Sequence, residues 1–225
     1  MFRIVGQILV KGGLAVQSDR FSETYCLGNF KNAIKSLERL EPDEINIIDI
    51  DGNLSSTLEK NLSSLKKIGI PVSVGGGVDL DEIHNFPVER YLINSLLFQE
   101  RLSSKCENFK QGRQSLIGYL PFRAVGDEFQ FFDSTSGEFV HLDENHFEKV
   151  FHFCSEVVFL DADNQGFLGS FNRHFLDHIP REYLMRSYLS GGIFVDNLSP
   201  FRDLDCAGVV LDNSSLYWQR KIYRR

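Results

Sequence analysis

The chain has 225 residues and carries 24 Lys and Arg against 31 Asp and Glu, which gives a formal net charge of −7 at pH 7. This net negative charge argues against the basic surface that nucleic-acid binding needs, and 42% hydrophobic residues are enough to fill one large core. The apolar run near the start has about five residues, too few for the core of a signal peptide or for a membrane span. We therefore expect one domain over residues 1–225, with neither nucleic acid nor a membrane as a partner.

Short apolar segments alternate along the chain with longer amphipathic segments. Strands that are each followed by a helix must lie parallel, because a parallel neighbour needs a crossover connection. Eight such units predict a closed (β/α)8 TIM barrel. The predicted strands cover residues 3–10, 44–50, 70–74, 89–93, 115–120, 155–160, 184–189 and 206–211. The predicted helices cover residues 30–41, 55–67, 79–86, 95–105, 143–153, 170–178, 197–203 and 213–222.

One segment after the fifth predicted strand interrupts this alternation. Residues 125–140, VGDEFQFFDSTSGEFV, alternate between apolar and polar side chains and carry turn-forming residues at their centre. This pattern is typical of two antiparallel strands joined by a turn. We therefore predict a β-hairpin in the loop after strand five.

The two halves of the chain also resemble each other. The segments NIIDIDGN and VFLDADNQG are both apolar strands that end in Asp-x-Asp. By subtraction of residue numbers, Asp49 and Asp161 are 112 positions apart, and Gly76 and Gly191 are 115 apart. Two independent features that repeat at nearly one spacing predict two similar half-barrels related by a pseudo-twofold axis.

Two glycine-rich corners follow predicted strands, at Gly76 and Gly77 and at Gly191 and Gly192. Consecutive glycines lose much backbone entropy on folding, so they are used where a turn needs positive φ or where a ligand approaches the main chain. Backbone N–H groups at such a corner bind phosphate, and TIM barrels carry their sites at this end of the strands. The corners predict a ligand with a phosphate at each end; the alternative is a pair of strand-to-helix turns.

Four segments together resemble the barrels of histidine biosynthesis. They are RIVGQILVKGGLAVQSDRF, LGNFKNAIKSLERLEPDEINIIDIDGN, IPVSVGGGV and RYLINS. The family contains an isomerase and the cyclase subunit of imidazole glycerol phosphate synthase, and the pattern is closer to the cyclase. It is particularly similar to cyclase paralogues that serve surface-polysaccharide amidation beside a glutaminase. The resemblance implies a barrel that takes ammonia from a separate glutaminase subunit and binds a phosphorylated small molecule.

The resemblance also implies two phosphate-binding sites. The first holds its phosphate with Gly77, Asn94 and Ser95. The second uses Gly166, Gly191 and Gly192. At a third position of the second site the family has small residues, whereas this chain has Asp212 and Asn213. A carboxylate beside a phosphate is repulsive by roughly 1 kcal/mol even when well solvated, so this second site is disfavoured.

The catalytic positions of the family are not retained. The isomerase and the cyclase use one aspartate on strand one and another on strand five to move protons. These positions align with Leu9 and Pro121, and an acidic position after strand six aligns with Gln165. Among proton-exchanging side chains, Asp49 at the end of strand two is the first candidate and Lys11 after strand one the second. Ordinary cyclase or isomerase chemistry is therefore disfavoured.

Four charged residues stand at the starts of strands one, two, four and six: Arg3, Glu44, Arg90 and Glu156. Two positive and two negative charges from four strands can close into a neutral ring at the bottom of the barrel, since buried charges persist only when paired. The alternative is a set of ordinary surface charges at the strand entrances. The resemblance implies an ammonia gate at these positions and a contact with the glutaminase at Glu89.

The histidines and cysteines suggest no further chemistry. His174 and His178 are spaced i, i+4, but no HExxH glutamate lies between them, so we interpret them as surface histidines. The chain has no GxGxxG fingerprint or P-loop, and we predict no metal and no cofactor. Four widely spaced cysteines indicate buried thiols in a reducing cytoplasm: Cys26, Cys106, Cys154 and Cys206.

Three functions remain open. The first is the synthase-like subunit of a glutamine-dependent amidotransferase in surface-polysaccharide or related biosynthesis. The second is a true cyclase or isomerase whose catalytic residues lie elsewhere. The third is a barrel without catalytic activity that binds a phosphorylated metabolite or organises a complex.

Overall fold

A computed structural model of the chain describes residues 1–80, 86–99, 115–167 and 171–211. The described residues contain twelve strands: β1 (Arg3–Lys11), β2 (Leu14–Asp19), β3 (Glu23–Asn29), β4 (Glu44–Asp49), β5 (Val72–Gly75), β6 (Arg90–Ile93), β7 (Ser115–Val125), β8 (Glu128–Asp133), β9 (Glu138–Val140), β10 (Glu156–Asp161), β11 (Ser187–Ser190) and β12 (Gly208–Leu211).

Eight of these strands form a closed parallel barrel in the order β1, β4, β5, β6, β7, β10, β11, β12. The strand β12 pairs with β1 and so closes the circle, with Arg3 opposite Gly208. Each of the eight lies within or close to a predicted strand, and the predicted (β/α)8 barrel is confirmed. The seventh predicted strand, 184–189, begins too early, because residues Arg181–Leu184 form a short helix before β11 begins.

Antiparallel strands extend the barrel at two places. The strand β7 pairs antiparallel with β8, and β8 pairs antiparallel with β9. The predicted hairpin is therefore confirmed, with a third strand added to it. The strands β2 and β3 form a second hairpin after β1, which was not predicted. The turn between β1 and β2 uses Gly12 and Gly13, both with positive φ.

The described helices are α1 (Phe30–Glu38), α2 (Leu54–Leu65), α3 (Glu144–Phe153), α4 (Arg181–Leu184) and α5 (Ser199–Arg202). Short 3-10 helices cover Ser95–Phe98, Arg173–His178 and Val195–Asn197. Helices were predicted at 95–105 and 170–178, and their described parts are 3-10 helices. The predicted helix at 213–222 lies outside the described residues, as does most of the one at 79–86. No helix in the described ranges is long and apolar enough to cross a membrane.

The helix α1 shows how the sequence builds the outer layer. Its N-cap Asn29 accepts a hydrogen bond from the Lys31 N–H, which satisfies one free donor of the first turn. Its buried residues recur at the i, i+3, i+4, i+7 spacing of one helix face: Phe30, Ala33, Ile34 and Leu37. This face packs on the barrel, so the strands are buried on both sides. A second core fills the barrel interior with residues such as Val5, Leu9, Ile117 and Val158.

The two half-barrels share one backbone arrangement. Gly76 has a φ of 92°, and a Cβ there would lie 1.8 Å from the carbonyl oxygen of Asp49. Gly191 also has a φ of 92°, and a Cβ there would lie 2.3 Å from the carbonyl oxygen of Asp161. Both corners therefore need glycine because of the neighbouring strand, which is a structural reason independent of any ligand.

The cysteines differ from the prediction. Cys154 is buried, but Cys26 is exposed on β3, so the prediction of a buried thiol is wrong there. Cys206 is partly buried, and burial raises the pKa of its thiol. Cys106 lies outside the described residues.

Candidate functional site

A cavity of about 590 Å³ opens at the carboxyl ends of β1, β4, β5, β6 and β7, beneath the β2–β3 hairpin. This is the end at which TIM barrels carry their sites. The cavity wall includes most of the predicted residues of the first half-barrel: Leu9, Lys11, Asp49, Gly76, Gly77, Asn94, Ser95 and Pro121. The wall does not include Gly166, Gly191 or Gly192. These three glycines of the predicted second phosphate site are therefore not part of the cavity wall, although Gln165 beside Gly166 is. Its residues Asp212 and Asn213 lie outside the described part of the chain.

The Gly77 corner presents its main chain at the cavity. Gly77 has a φ of 78°, and a Cβ there would lie 2.0 Å from the carbonyl oxygen of Gly52. Its N–H donates no hydrogen bond to any residue that the structure describes. Ser95 lies on the same wall. The corner thus has a backbone donor and a hydroxyl of the kinds that bind phosphate.

The Asn94 side chain is already used within the protein. Its amide nitrogen donates to the carbonyl oxygens of Tyr119 and Phe132, both at 2.9 Å. Its amide oxygen accepts from the Ser134 N–H at 2.9 Å. Both N–H donors of the Asn94 amide are therefore already bonded, and they join the end of β6 to β7 and β8. A phosphate at this corner would depend on Gly77 and Ser95 for donors.

Asp49 is buried, with 3% of its surface exposed. Its carboxylate accepts hydrogen bonds from the Asp51 N–H at 3.0 Å and the Asn53 N–H at 3.4 Å. It also accepts from the Thr57 hydroxyl. These bonds fix the loop between β4 and α2, so Asp49 has a structural role whether or not it also moves protons.

Asp161 occupies the equivalent position in the second half-barrel. It accepts from the side chain of Asn164 at 2.8 Å and from the Asn172 N–H at 2.7 Å. Burial raises the pKa of Asp161 above its usual value, although these hydrogen bonds act in the opposite direction. The two aspartates that reveal the internal repeat therefore hold equivalent loops.

The rest of the cavity wall is unlike a general acid–base site. Leu9 and Pro121, which stand where the resemblance implies aspartates, have apolar side chains that exchange no protons. Lys11 lies at the rim, with its Nζ 3.4 Å from the Thr24 hydroxyl. Gln165 is also in the wall, and its buried Oε1 has no hydrogen-bond partner in the described part of the chain.

Two features of this wall were not predicted. Phe21, at the tip of the β2–β3 hairpin, packs edge-on against Phe132 of β8 with ring centroids 5.3 Å apart. Asp51 lies beside Asp49 and accepts from the Gly12 N–H at 2.7 Å. The Asp-x-Asp motif could have indicated Asp51 from the sequence. Phe21 could not be found in this way, because it belongs to the hairpin that was not predicted.

A ring of four charged side chains lies at the opposite end of the barrel. Arg90 pairs with Glu44 and Glu156, and Arg3 also pairs with both, at 3.7 Å from Glu44. The side chain of Glu44 is only 3% exposed, whereas that of Arg3 is 32% exposed. The structure thus joins residues from four separate strands into one closed ring whose formal charges cancel.

The ring is further supported from within the barrel. Ser73 donates to Glu44, and the Tyr188 hydroxyl lies 3.3 Å from both carboxylate oxygens of Glu156. Burial lowers the pKa of Arg90, but hydrogen bonds and charges from Glu44 and Glu156 outweigh this effect and raise it above its usual value. Arg90 therefore remains charged, as a paired arginine should.

Glu89 lies beside the ring but is not part of it. Its carboxylate accepts from the Val72 N–H at 2.7 Å and so caps the start of β5. The residue is otherwise exposed. This position leaves room for a contact with another protein.

Polar groups also occupy the barrel interior between the ring and the cavity. The Tyr119 hydroxyl donates to Gln7 Oε1 at 3.2 Å, and Tyr119 itself lines the cavity. Asn46 is 2% exposed, and its Oδ1 has no hydrogen-bond partner among the described residues. The space along the barrel axis is therefore not purely apolar.

Comparison with known proteins relates the chain to one family. The family model described as "Histidine biosynthesis protein" matches residues 3–217. An imidazole glycerol phosphate synthase subunit HisF of Chloroherpeton thalassium is 24% identical over 203 residues, which cover 84% of this chain and 79% of that protein. A putative HisF subunit of Leptospira borgpetersenii is 23% identical, covering 73% of this chain and 69% of its own length. A putative hisF2 subunit of Vibrio vulnificus is 27% identical, covering 73% and 64%.

Proposed function

Because this chain belongs to the histidine biosynthesis protein family, we propose that it is the synthase-like subunit of a glutamine-dependent amidotransferase. A separate glutaminase would release ammonia at the charged ring. The ammonia would cross the barrel and react at the opposite cavity with a phosphorylated or nucleotide-linked substrate. Biosynthesis of surface polysaccharide, or a histidine-like pathway, would supply that substrate.

The observation that carries this proposal is the closed ring of Arg3, Glu44, Arg90 and Glu156. Burying four charges at the bottom of a barrel costs desolvation free energy, and well-packed apolar residues at such positions usually give equal or greater stability. The presence of four paired charges there favours a function at that end. The ring and the cavity lie at opposite ends of the same barrel strands, as transfer of a small molecule through the barrel requires.

Within the cavity, Gly77 and Ser95 would hold the phosphate. Asp49 and Lys11 remain the candidates for moving a proton. The Asp49 carboxylate already accepts several hydrogen bonds from its own loop, whereas Lys11 reaches the cavity rim with a single bond to Thr24. Lys11 is therefore the more accessible of the two.

The direct test combines the purified chain with the glutaminase encoded nearest to its gene. We expect binding, and faster ammonia release from glutamine when a phosphorylated ligand is present. Glu156→Gln, which breaks the ring, should reduce the stimulation. Asp205→Asn, which breaks the exposed Arg181–Asp205 pair elsewhere, is the matched control. If the chain neither binds the glutaminase nor stimulates it with any ligand, the proposal fails.

A second candidate is a barrel without catalytic activity that binds a phosphorylated metabolite or organises a complex. The apolar side chains of Leu9 and Pro121 in the cavity wall favour it, because neither exchanges protons. Ligand binding with no effect on any glutaminase would support this reading. A true cyclase or isomerase is the third candidate, and growth of a histidine auxotroph complemented by the gene would support it.

A further inference from the structure

Two histidines outside the cavity lie in direct contact. His174 and His178 belong to the 3-10 helix Arg173–His178, and their Nε2 atoms are 3.3 Å apart. Both side chains are exposed, so an ion in solution can reach them. We propose that His174 and His178 form a two-histidine site for a divalent transition-metal ion such as Zn²⁺ or Ni²⁺.

The distance between the two nitrogens fits a metal ion. Histidine nitrogens bind zinc at about 2.0–2.1 Å, so two ligands of one tetrahedral ion lie about 3.3–3.4 Å apart. The separation of 3.3 Å in this protein falls in that range. Imidazole nitrogen also suits nickel and copper. Water or another ligand would fill the remaining positions.

The Asp177 carboxylate favours one tautomer of the His174 ring. The Asp177 carboxylate lies 3.2 Å from His174 Nδ1. A carboxylate there favours a proton on Nδ1 and leaves the lone pair of His174 Nε2 free for a metal. Most metal-binding histidines have such a partner on their second nitrogen, which fixes the ring and raises its basicity.

The helix that carries the pair is anchored in the core. Phe175, between the two histidines, is 1% exposed and stacks on Phe122 with ring centroids 3.8 Å apart. Phe129 packs against both imidazole rings, with centroids 6.1 Å from His174 and 5.0 Å from His178. The two ligands are therefore held in place before an ion binds, which lowers the entropy cost of binding.

The competing explanation is a hydrogen bond between two neutral histidines. One Nε2–H would then donate to the other Nε2, and no metal would be involved. In the described part of the chain no group of three or more His, Cys, Asp or Glu side chains is placed to hold a metal. The proposed site therefore has two protein ligands, and its affinity must be measured directly.

The test is isothermal titration of the tag-free, chelator-treated full chain with ZnCl₂ and with NiCl₂. We expect saturable binding of one ion per chain. His174→Ala and His178→Ala should each abolish it, and Asp177→Asn should weaken it about tenfold. Unchanged thermal unfolding of the metal-free variants would show that each still folds.

The matched control is His146→Ala. His146 pairs with Asp143 at the same i, i+3 spacing, with 2.8 Å between Nδ1 and Oδ1, but among the described residues no other histidine bonds to it. This variant should bind metal as the parent does. The proposal is overturned if the parent shows no saturable binding, or if binding survives His178→Ala.

Discussion

The charged ring makes a strong prediction about stability. Arg90→Met keeps most of the apolar stem of the side chain but removes its charge. The two carboxylates that Arg90 bonds, Glu44 and Glu156, are then left with Arg3 alone. The ring changes from neutral to a net charge of −1, and the side chain of Glu44 is only 3% exposed to water.

Removing one partner of a buried ion pair costs about 3–5 kcal/mol, because the remaining charge stays buried without compensation. We expect Arg90→Met to lower the free energy of unfolding by that amount. A second substitution, Glu44→Gln, removes the surplus charge and keeps an oxygen to accept from Ser73. The double variant should therefore recover about 1–3 kcal/mol as a coupling energy between the two positions.

Urea unfolding followed by circular dichroism measures these differences, provided that the transition is two-state. The control is Arg181→Met, which makes the same substitution in an exposed pair with Asp205. An exposed pair contributes about 0–1 kcal/mol. If Arg90→Met costs no more than Arg181→Met, the charges of the ring are not buried charges that depend on one another.

Three further predictions concern the loops at the other end of the barrel. Gly76→Ala should destabilise the protein by about 3 kcal/mol or more in urea unfolding, because the added Cβ meets a backbone oxygen. The control is Gly126→Ala. Gly126 also has a positive φ but has open space around it, so this substitution should cost only about 1 kcal/mol. Asn94→Ala should lose about 2–3 kcal/mol, since three hydrogen bonds disappear, and faster amide hydrogen exchange in β8 would locate the effect. The raised pKa of Asp161 means that its contribution to stability is largest below its unfolded pKa of about 4 and falls as the pH rises. The unfolding free energy of the parent should therefore fall relative to that of Asp161→Asn between pH 4 and pH 7. A difference between the two proteins that does not change with pH would contradict the raised pKa.

The strand pattern was predictable because it is encoded locally. Apolar runs such as VVFL in β10 are continuous because a parallel strand is buried on both faces. The β2–β3 hairpin was missed because it lies between β1 and α1, where the expected connection was a simple loop. Its alternation of side chains is weak, and its register contains a shift between Ala15 and Val16.

The sequence by itself determined the barrel, the internal repeat and the positions of the four charges at strand starts, since periodicity and spacing are properties of neighbouring residues. Only the tertiary structure decided which side chains meet. The Asn94 amide is occupied because its partners lie in β7 and in the segment from β8 onward, far along the chain. The spacing of His174 and His178 is local, but the place of their helix on the core is set by Phe122 and Phe129, which pack against Phe175. Such contacts depend on how distant strands close around the core, which no local pattern records.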